Sequence, residues 1–382
     1  MNICIITEYF STADGTATGG VEARAFHVAK ALAKKHDVTV ITSWRVGMPR
    51  QETIQEIAVH HVGPHHPYTN VGAVISRLRF AQAAYAAACR FGKEKKFDVI
   101  DGYNFVCYLP AYSAAKKIGA KSIATYHEVW LGAWIKNKGI LTGSLGSMWE
   151  RAVLKKAWDR IVSVSAYTKK KLEQHTQSPI TIIPNGVVIS AEKTPAPKQK
   201  QPTICFVGRL TPQKRVDDLL EALALLKQHK KLKNVRCIIV GTGPEEASLK
   251  QKARQLGLEN VSFRGFVKEQ KEVQKIIGTS HLLCNPSILE GFGMVLIEAM
   301  AHGTPYVCSD IDVFKEVTKN GKGGLLFEQK NTADLTEKIA VLLTDEKKYA
   351  AKVKEARALA QEYDWKRIAA QVEKVYQEVV GA

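Results

Sequence analysis

Residues 281–310 read HLLCNPSILEGFGMVLIEAMAHGTPYVCSD, and their order of apolar runs and breaks sets the class of fold. HLLCNPS is a short apolar run closed by Pro286 and Ser287, as expected of a strand buried on both faces. Gly291 and Gly293 interrupt the chain, a helix follows through EAMAHG, and TPYVCSD is a second apolar strand. Strand, turn, helix, strand is the repeating unit of a parallel sheet. The pattern recurs on either side. TICFVGRL, a helix through DDLLEALALLKQ, VRCIIVGTG and VSFRGFV precede it; GGLLF and helices follow. The last stretch, from about Tyr363, is amphipathic, with Trp365 near its start. The first half repeats the plan in NICIITEY, the helical GGVEARAFHVAKALAKK, DVTVITS, FDVIDGY, KSIATYH, DRIVSVS and ITIIPNG.

Between the halves, SAEKTPAPKQKQP (190–202) is polar, has three prolines and lacks an apolar period. The predicted organisation is a doubly wound domain over 1–190, a linker over 191–202, a second such domain over 203–362, and a helix over 363–382 packing back on the first domain. A chain of 382 residues suits two domains of about 150–200 residues each.

Composition narrows the functional classes. Seven scattered cysteines form no CxxC pair, and most lie in strand-like runs, which predicts reduced core thiols rather than metal ligands or disulfides. No apolar run reaches the roughly 18 residues of a membrane span. MNICIITEYF reads as a buried first strand, not a signal peptide, so the expected location is cytoplasmic. The net charge is +18, and residues 1–190 carry 24 Lys and Arg against 13 Asp and Glu. Solvated helix faces account for such an excess, and so does attraction to the anionic inner face of a membrane or to an anionic lipid. Nucleic acid is not an expected partner, because no recognition module accompanies the charge.

In open parallel sheets, ligands bind beyond the C-terminal ends of strands, so chemistry is sought in the turns that follow them. Glu290 to Glu298 (EGFGMVLIE) is such a turn opening a helix. Its glycines let the N–H groups of Phe292, Gly293, Met294 and Val295 approach a ligand, and a helix start favours anionic oxygens. Glu290 in the loop and Glu298, about two turns into the helix, can accept bonds from paired hydroxyls. Gly208-Arg209-Leu210, with Lys214 four residues past Leu210, follows TICFV and offers a planar fork of donors and a mobile point charge to a diphosphate. Gly19-Gly20 precedes a helix and resembles a phosphate-approach turn. Gly241-Thr242-Gly243-Pro244 is a strand-end turn without a full GxGxxG. His127 ends the strand KSIATYH.

Together these pieces resemble the family 4 retaining glycosyltransferases, of group 1 type, over nearly the whole chain. The most specific part is EGFGMVLIEAMAHGTPYV, with its two glutamates separated by seven residues. Gly19-Gly20, His127, Arg209 with Lys214, and Ile183-Pro184-Asn185-Gly186 complete the pattern. The resemblance implies an α/β fold of GT-B type: two Rossmann-like doubly wound domains facing across a cleft, acceptor side first and nucleotide-sugar side second. It implies a metal-independent enzyme with no cofactor, whose donor is a UDP- or GDP-linked hexose and whose acceptor is a glycan, a lipid-linked hydroxyl or a small molecule. Arg209 and Lys214, helped by Gly20, would hold the diphosphate. Glu298 would bind the ribose, and Glu290 with the N–H groups of Phe292 and Gly293 the sugar hydroxyls. His127 would lie near the anomeric carbon, and the stretch from Arg264 through Phe266 would flank the base.

Two departures stand out. Val188 replaces the aspartate that often follows IPNG, and Ile311-Asp312-Val313-Phe314 stands where the family often has Gly-Gly. Asp310-Ile311-Asp312 mimics a DxD metal motif at a strand end that the pattern already explains. VWLGAWIKNKGILTGSLGSMW, with Trp130, Trp134 and Trp149, reads equally as an acceptor loop or as core. A non-hydrolysing epimerase of the same fold and a non-catalytic sugar-nucleotide-binding subunit are the alternative readings.

Overall fold

The computed structural model describes residues 1–11, 19–66, 74–189 and 197–382. Residues 191–196 of the expected linker lie outside these. The chain divides into two compact units, Met1–Asn185 with Trp365–Ala382, and Gly186–Asp364.

The described elements of the first unit are β1 (Asn2–Ile6), α1 (Gly20–Ala33), β2 (Asp37–Ser43), β3 (Gln51–Ile54), β4 (Ile57–Val62), α2 (Val74–Lys95), β5 (Val99–Gly102), α3 (Tyr108–Ile118), β6 (Lys121–Tyr126), α4 (Trp134–Lys138), α5 (Ile140–Leu154), β7 (Arg160–Ser163), α6 (Ala166–Leu172) and β8 (Ile180–Ile182). The strands form one sheet in the order β3-β4-β2-β1-β5-β6-β7-β8, parallel except for β3 at the edge. Ile3 to Ile6 are fully buried because helices cover both faces, which is why the strand reads as an unbroken apolar run. Chain order reverses between β1 and β5, the place where open α/β sheets hold ligands.

In the second unit come β9 (Thr203–Val207), α7 (Val216–Leu226), β10 (Arg236–Val240), α8 (Glu246–Gln255), β11 (Val261–Gly265), α9 (Gln270–Thr279), β12 (Leu282–Asn285), α10 (Met294–Ala301), β13 (Tyr306–Ser309), α11 (Asp312–Val317), β14 (Gly324–Phe327), α12 (Thr332–Thr344) and α13 (Glu346–Ala360). All six strands are parallel, in the order β11-β10-β9-β12-β13-β14. This is the doubly wound order, with its reversal between β9 and β12. Lys198, in the second half of the expected linker, is anchored on this unit, its Nζ donating to the carbonyls of Gly278 and Ser280 and to Thr304.

A last helix, α14 (Trp365–Gly381), returns to the first unit. Its apolar face (Trp365, Ile368, Val372, Val375, Tyr376, Val379) is buried, at the spacing of one helix side. Trp365 stacks on His27 of α1 at 5.2 Å between ring centroids, and Glu373 pairs with Lys35 and His36. Beside it, Val187 and Asp364 pair as a parallel bridge within the second unit, so the outgoing and returning connections run together there.

All seven cysteines are free, and all but Cys89 are buried. No described helix is long and apolar enough to cross a membrane.

Candidate active site

In the second unit Gly208, Arg209, Lys214 and Glu290 lie in the loops after β9 and β12, on either side of the reversal, whereas Gly241 follows β10 and Arg264 and Phe266 lie at the end of the edge strand β11. Gly208 and Arg209 directly follow β9. Lys214 ends a short 3-10 turn, Pro212–Lys214, held to the loop after β12 by Ile288 N–H donating to the carbonyl of Gln213 at 2.9 Å. That loop carries Glu290, whose Oε1 takes the Lys214 ammonium at 2.5 Å; both side chains are mostly buried. The Arg209 guanidinium is exposed and has no ion pair or hydrogen bond among the described residues, whereas neighbouring Arg215 is spent on Asp217 and Asp218. Arg209 is thus the cation at this edge left open to an incoming anion.

Gly291 and Gly293 lead into α10. Gly293 caps it with φ +95, and no side chain caps the helix start. The first N–H groups of α10, on Met294 and Val295, therefore keep their partial positive charge for a ligand. Phe292 itself is buried, edge-on to Tyr363 at 6.0 Å, so only its backbone is offered. Because α10 begins at Met294, Glu298 lies about one and a half turns in rather than two. Burial pushes its carboxyl up to about 7, opposed by a single donor, Gln270 Nε2, at 3.3 Å.

The turns after β9, β10 and β11 are sewn together by backbone. Gly208 N–H donates to Val240, Leu210 N–H to Thr242, and Gly241 N–H to Gly265. A Cβ on Gly241 would come within 1.9 Å of the Gly208 carbonyl oxygen, so this glycine is required by backbone approach. At the end of β11, Arg264 is paired with Glu272 of α9 at 3.1 Å, while the Phe266 ring is 60% exposed. Asp310 pairs with Lys315, and Asp312 opens α11.

In the first unit, Gly19 and Gly20 open α1. His127 directly follows β6, with its Nε2 shut from solvent and without a hydrogen-bond partner among the described residues. Burial, with the Arg24 charge nearby, lowers the imidazole to about 3, so at neutral pH it is uncharged and can share a hydrogen bond without carrying a full charge.

Sequence reasoning missed two polar groups here. Arg24 of α1 is fully buried and donates through Nη1 to the carbonyls of Ile183 and Pro184 and to Asn185 Oδ1, holding the chain just before it leaves the unit. Its nearby counter-charge is Asp101, which burial raises to about 7 and which accepts from Tyr376 at 2.6 Å and from Thr125. Arg24 sits in a sequence that reads as an ordinary basic helix, and only its burial sets it apart. The second group surrounds Glu8, just past β1 at the first unit's reversal. Its Oε1 accepts from Arg77 at 2.8 Å and bonds His66 Nε2 at 2.9 Å, and its Oε2 accepts from Asn104. Burial pulls its carboxyl upward, but the bonds to His66 and Arg77 outweigh that pull and hold it below the usual range. These partners lie 58, 69 and 96 residues away, which no local pattern displays.

Residues 189–359 match the family model described as glycosyl transferases group 1, and residues 18–191 the one described as glycosyltransferase family 4. A phosphatidyl-myo-inositol mannosyltransferase of Mycobacterium leprae is 28% identical over 376 residues, covering 94% of this chain and 93% of the relative. Sucrose-phosphate synthase from Thermosynechococcus elongatus shares the fold with a TM-score of 0.81 at 20% identity, over 100% of both chains. HepE from Anabaena, solved with UDP and glucose, gives 0.76 at 19% identity over 99% of both.

Proposed function

Since the chain belongs to the family 4 glycosyltransferases, of group 1 type and GT-B fold, we propose that it moves a hexose from a UDP- or GDP-linked donor to an acceptor hydroxyl, with retention and without a bound metal. The observation that carries this reading is the Lys214–Glu290 pair in the loops at the strand-order reversal, just ahead of an uncapped helix start, with Arg209 exposed in the loop directly after β9.

The donor diphosphate takes Arg209 and Lys214, which frees Glu290 to receive sugar hydroxyls. Glu298 receives the ribose, and the base lies by Arg264 and Phe266. In the reaction, the bond from the anomeric carbon to the diphosphate oxygen breaks and its electron pair leaves with the diphosphate. The acceptor oxygen bonds the same face of that carbon, and its proton passes to the departing phosphate. The developing negative charge meets two cations and a helix start, which supply the electrostatic stabilisation that a metal ion supplies elsewhere. From the first unit, neutral His127 would bond the sugar near the reacting carbon, and the turn at Gly19 and Gly20 would approach the phosphates.

A lipid-linked acceptor is the favoured case, supported by the name of the mannosyltransferase relative and by the basic first unit. The buried thiols suit a reducing cytoplasm, and an anionic membrane face is the expected partner.

The test is a panel of UDP- and GDP-hexoses, with donor consumption followed with and without EDTA and the product's anomeric configuration read by NMR. Turnover of one donor, unchanged by EDTA and abolished in Arg209→Ala, is expected. Near-normal turnover in Arg209→Ala, loss of activity in EDTA, or an inverted product each refutes the corresponding part.

A further inference from the structure

The segment from Trp130 to Leu154 forms a helical hairpin of α4 and α5. Its inner side is made of aromatic packing. Trp134 lies 4.7 Å from the Phe105 ring and 5.2 Å from Trp130, and its indole N–H donates to Glu150 at 2.7 Å. Trp149 donates to the Phe105 carbonyl. Gly143 and Gly146 lie against Trp134, where a Cβ on Gly146 would come 2.5 Å from the indole. The tryptophans are therefore framework for the hairpin, not its outer surface.

The outer side is apolar as well. Ile135, Ile140, Leu141, Leu145 and Met148 are 53, 75, 83, 61 and 67% exposed. They are five of the thirteen large apolar side chains that stand exposed among the described residues, gathered within fourteen positions. Leu141, Leu145, Met148 and Ala152 follow the i, i+4, i+7, i+11 spacing of one helix stripe. A water-facing helix of a globular protein carries polar residues there, so this helix is apolar on two sides.

Charge identifies the occupant. Between Val129 and Lys156 the exposed charged side chains among the described residues are Lys136, Arg151, Lys155 and Lys156, all basic. The one acid in that stretch, Glu150, is buried and bonded to Trp134 and to the N–H of Trp130. An apolar stripe edged by cations complements an anionic bilayer, whose headgroups take the charges while the acyl boundary takes the leucines. A protein partner for so basic a rim would have to bring its own acids.

We propose that the outer stripe of α5, with Ile135 and Ile140 at the turn and the basic rim around it, is the surface by which this protein docks on anionic lipid membranes. This rests on the reading that the acceptor is met at a membrane, and it adds which residues make the contact.

The experiment is co-sedimentation of the full chain with vesicles of phosphatidylcholine and with vesicles containing roughly three parts phosphatidylcholine to one part phosphatidylglycerol. Binding to the anionic vesicles should be about tenfold or more above binding to the neutral ones, and should weaken as salt shortens the Debye length. Leu141→Ser with Leu145→Ser should lower it by about tenfold or more, and so should Arg151→Glu with Lys155→Glu. Far-UV circular dichroism and nucleoside diphosphate binding should stay unchanged in both variants, since the altered side chains face outward. Retained nucleotide binding with lost vesicle binding separates this claim from the transferase reading. Wild-type protein that ignores anionic vesicles, or variants that bind them as wild type does, would overturn it. So would a concentration-dependent dimer that the leucine variant abolishes while vesicles have no effect, because the stripe would then meet a second copy.

Discussion

Burial holds the Glu298 carboxyl at about 7, so near neutrality this side chain is divided between acid and carboxylate. Only the carboxylate accepts from two ribose hydroxyls at once. The folded state keeps a proton here that the unfolded chain has released, so this group costs stability as pH rises from about 4.5 through 7. Ligand binding runs the other way. Nucleoside diphosphate affinity should weaken by up to about tenfold, or about 1.4 kcal/mol, from pH 7.5 to 6. Isothermal titration across that range measures it. Glu298→Gln should bind more weakly at pH 7.5 and lose this component of the slope; a variant slope equal to the wild type would remove Glu298 from the ribose role. Among the described residues Gln270 is the one donor on this carboxylate. Its replacement by Ala should therefore move the same titration to higher pH. Residues of this kind define the limit of local reading. Glu298 and Lys214 stand out because the turns that lead to them carry glycines and follow apolar strands. Gln270, Glu8 and Arg24 do not, because their importance arises only from where the folded chain places them.

Among the elements, those buried on both faces are legible in sequence. ICII, ICFV and YVC, within β1, β9 and β13, are unbroken apolar runs, because a parallel sheet covered by helices has no wet side. The edge strand β3 is not, because only Ile54 of QETI is buried and the strand owes its conformation to antiparallel pairing with β4. The α4–α5 hairpin reads equally as loop or core because two of its glycines look like breaks. Gly143 makes room for the backbone of α4, and Gly146 for the Trp134 indole. Gly146→Ala should therefore cost about 1–3 kcal/mol in denaturant unfolding, although alanine favours a helix in isolation; a neutral or stabilising result would mean the indole has room to move. At α14, Tyr376→Phe removes a buried donor to Asp101. The expected loss is about 1–3 kcal/mol by urea unfolding, with the carboxyl left less satisfied. A loss near zero would show that Thr125 alone suffices for that carboxylate.

For the molecule as a whole, the first unit is discontinuous: Met1–Asn185 is completed by Trp365–Ala382. A chain ending at Asp364 lacks the buried side chains of α14 that cover α1 and the donor to Asp101. Scanning calorimetry of that truncation should show the first unit's transition lost or shifted far down, with nucleoside diphosphate binding by the second unit retained. An unshifted first-unit transition would make α14 dispensable. Acid should act on the first unit too. His27 and His127 are held uncharged by burial, at about 4 and about 3, while their unfolded counterparts take protons near 6.5. Stability contributed by both groups is therefore lost as pH falls below about 6.5. The discontinuity also sets an order of events on the ribosome. The second unit is wholly synthesised before the residues that finish the first one leave the exit tunnel. The first-made half must then wait, unsealed along the flank of α1, through the translation of nearly 180 further residues. Holdase chaperones would find their substrate in that interval, and a slowed codon anywhere in the stretch encoding Gly186–Asp364 would lengthen the exposure by its own delay, whereas one before that stretch would not.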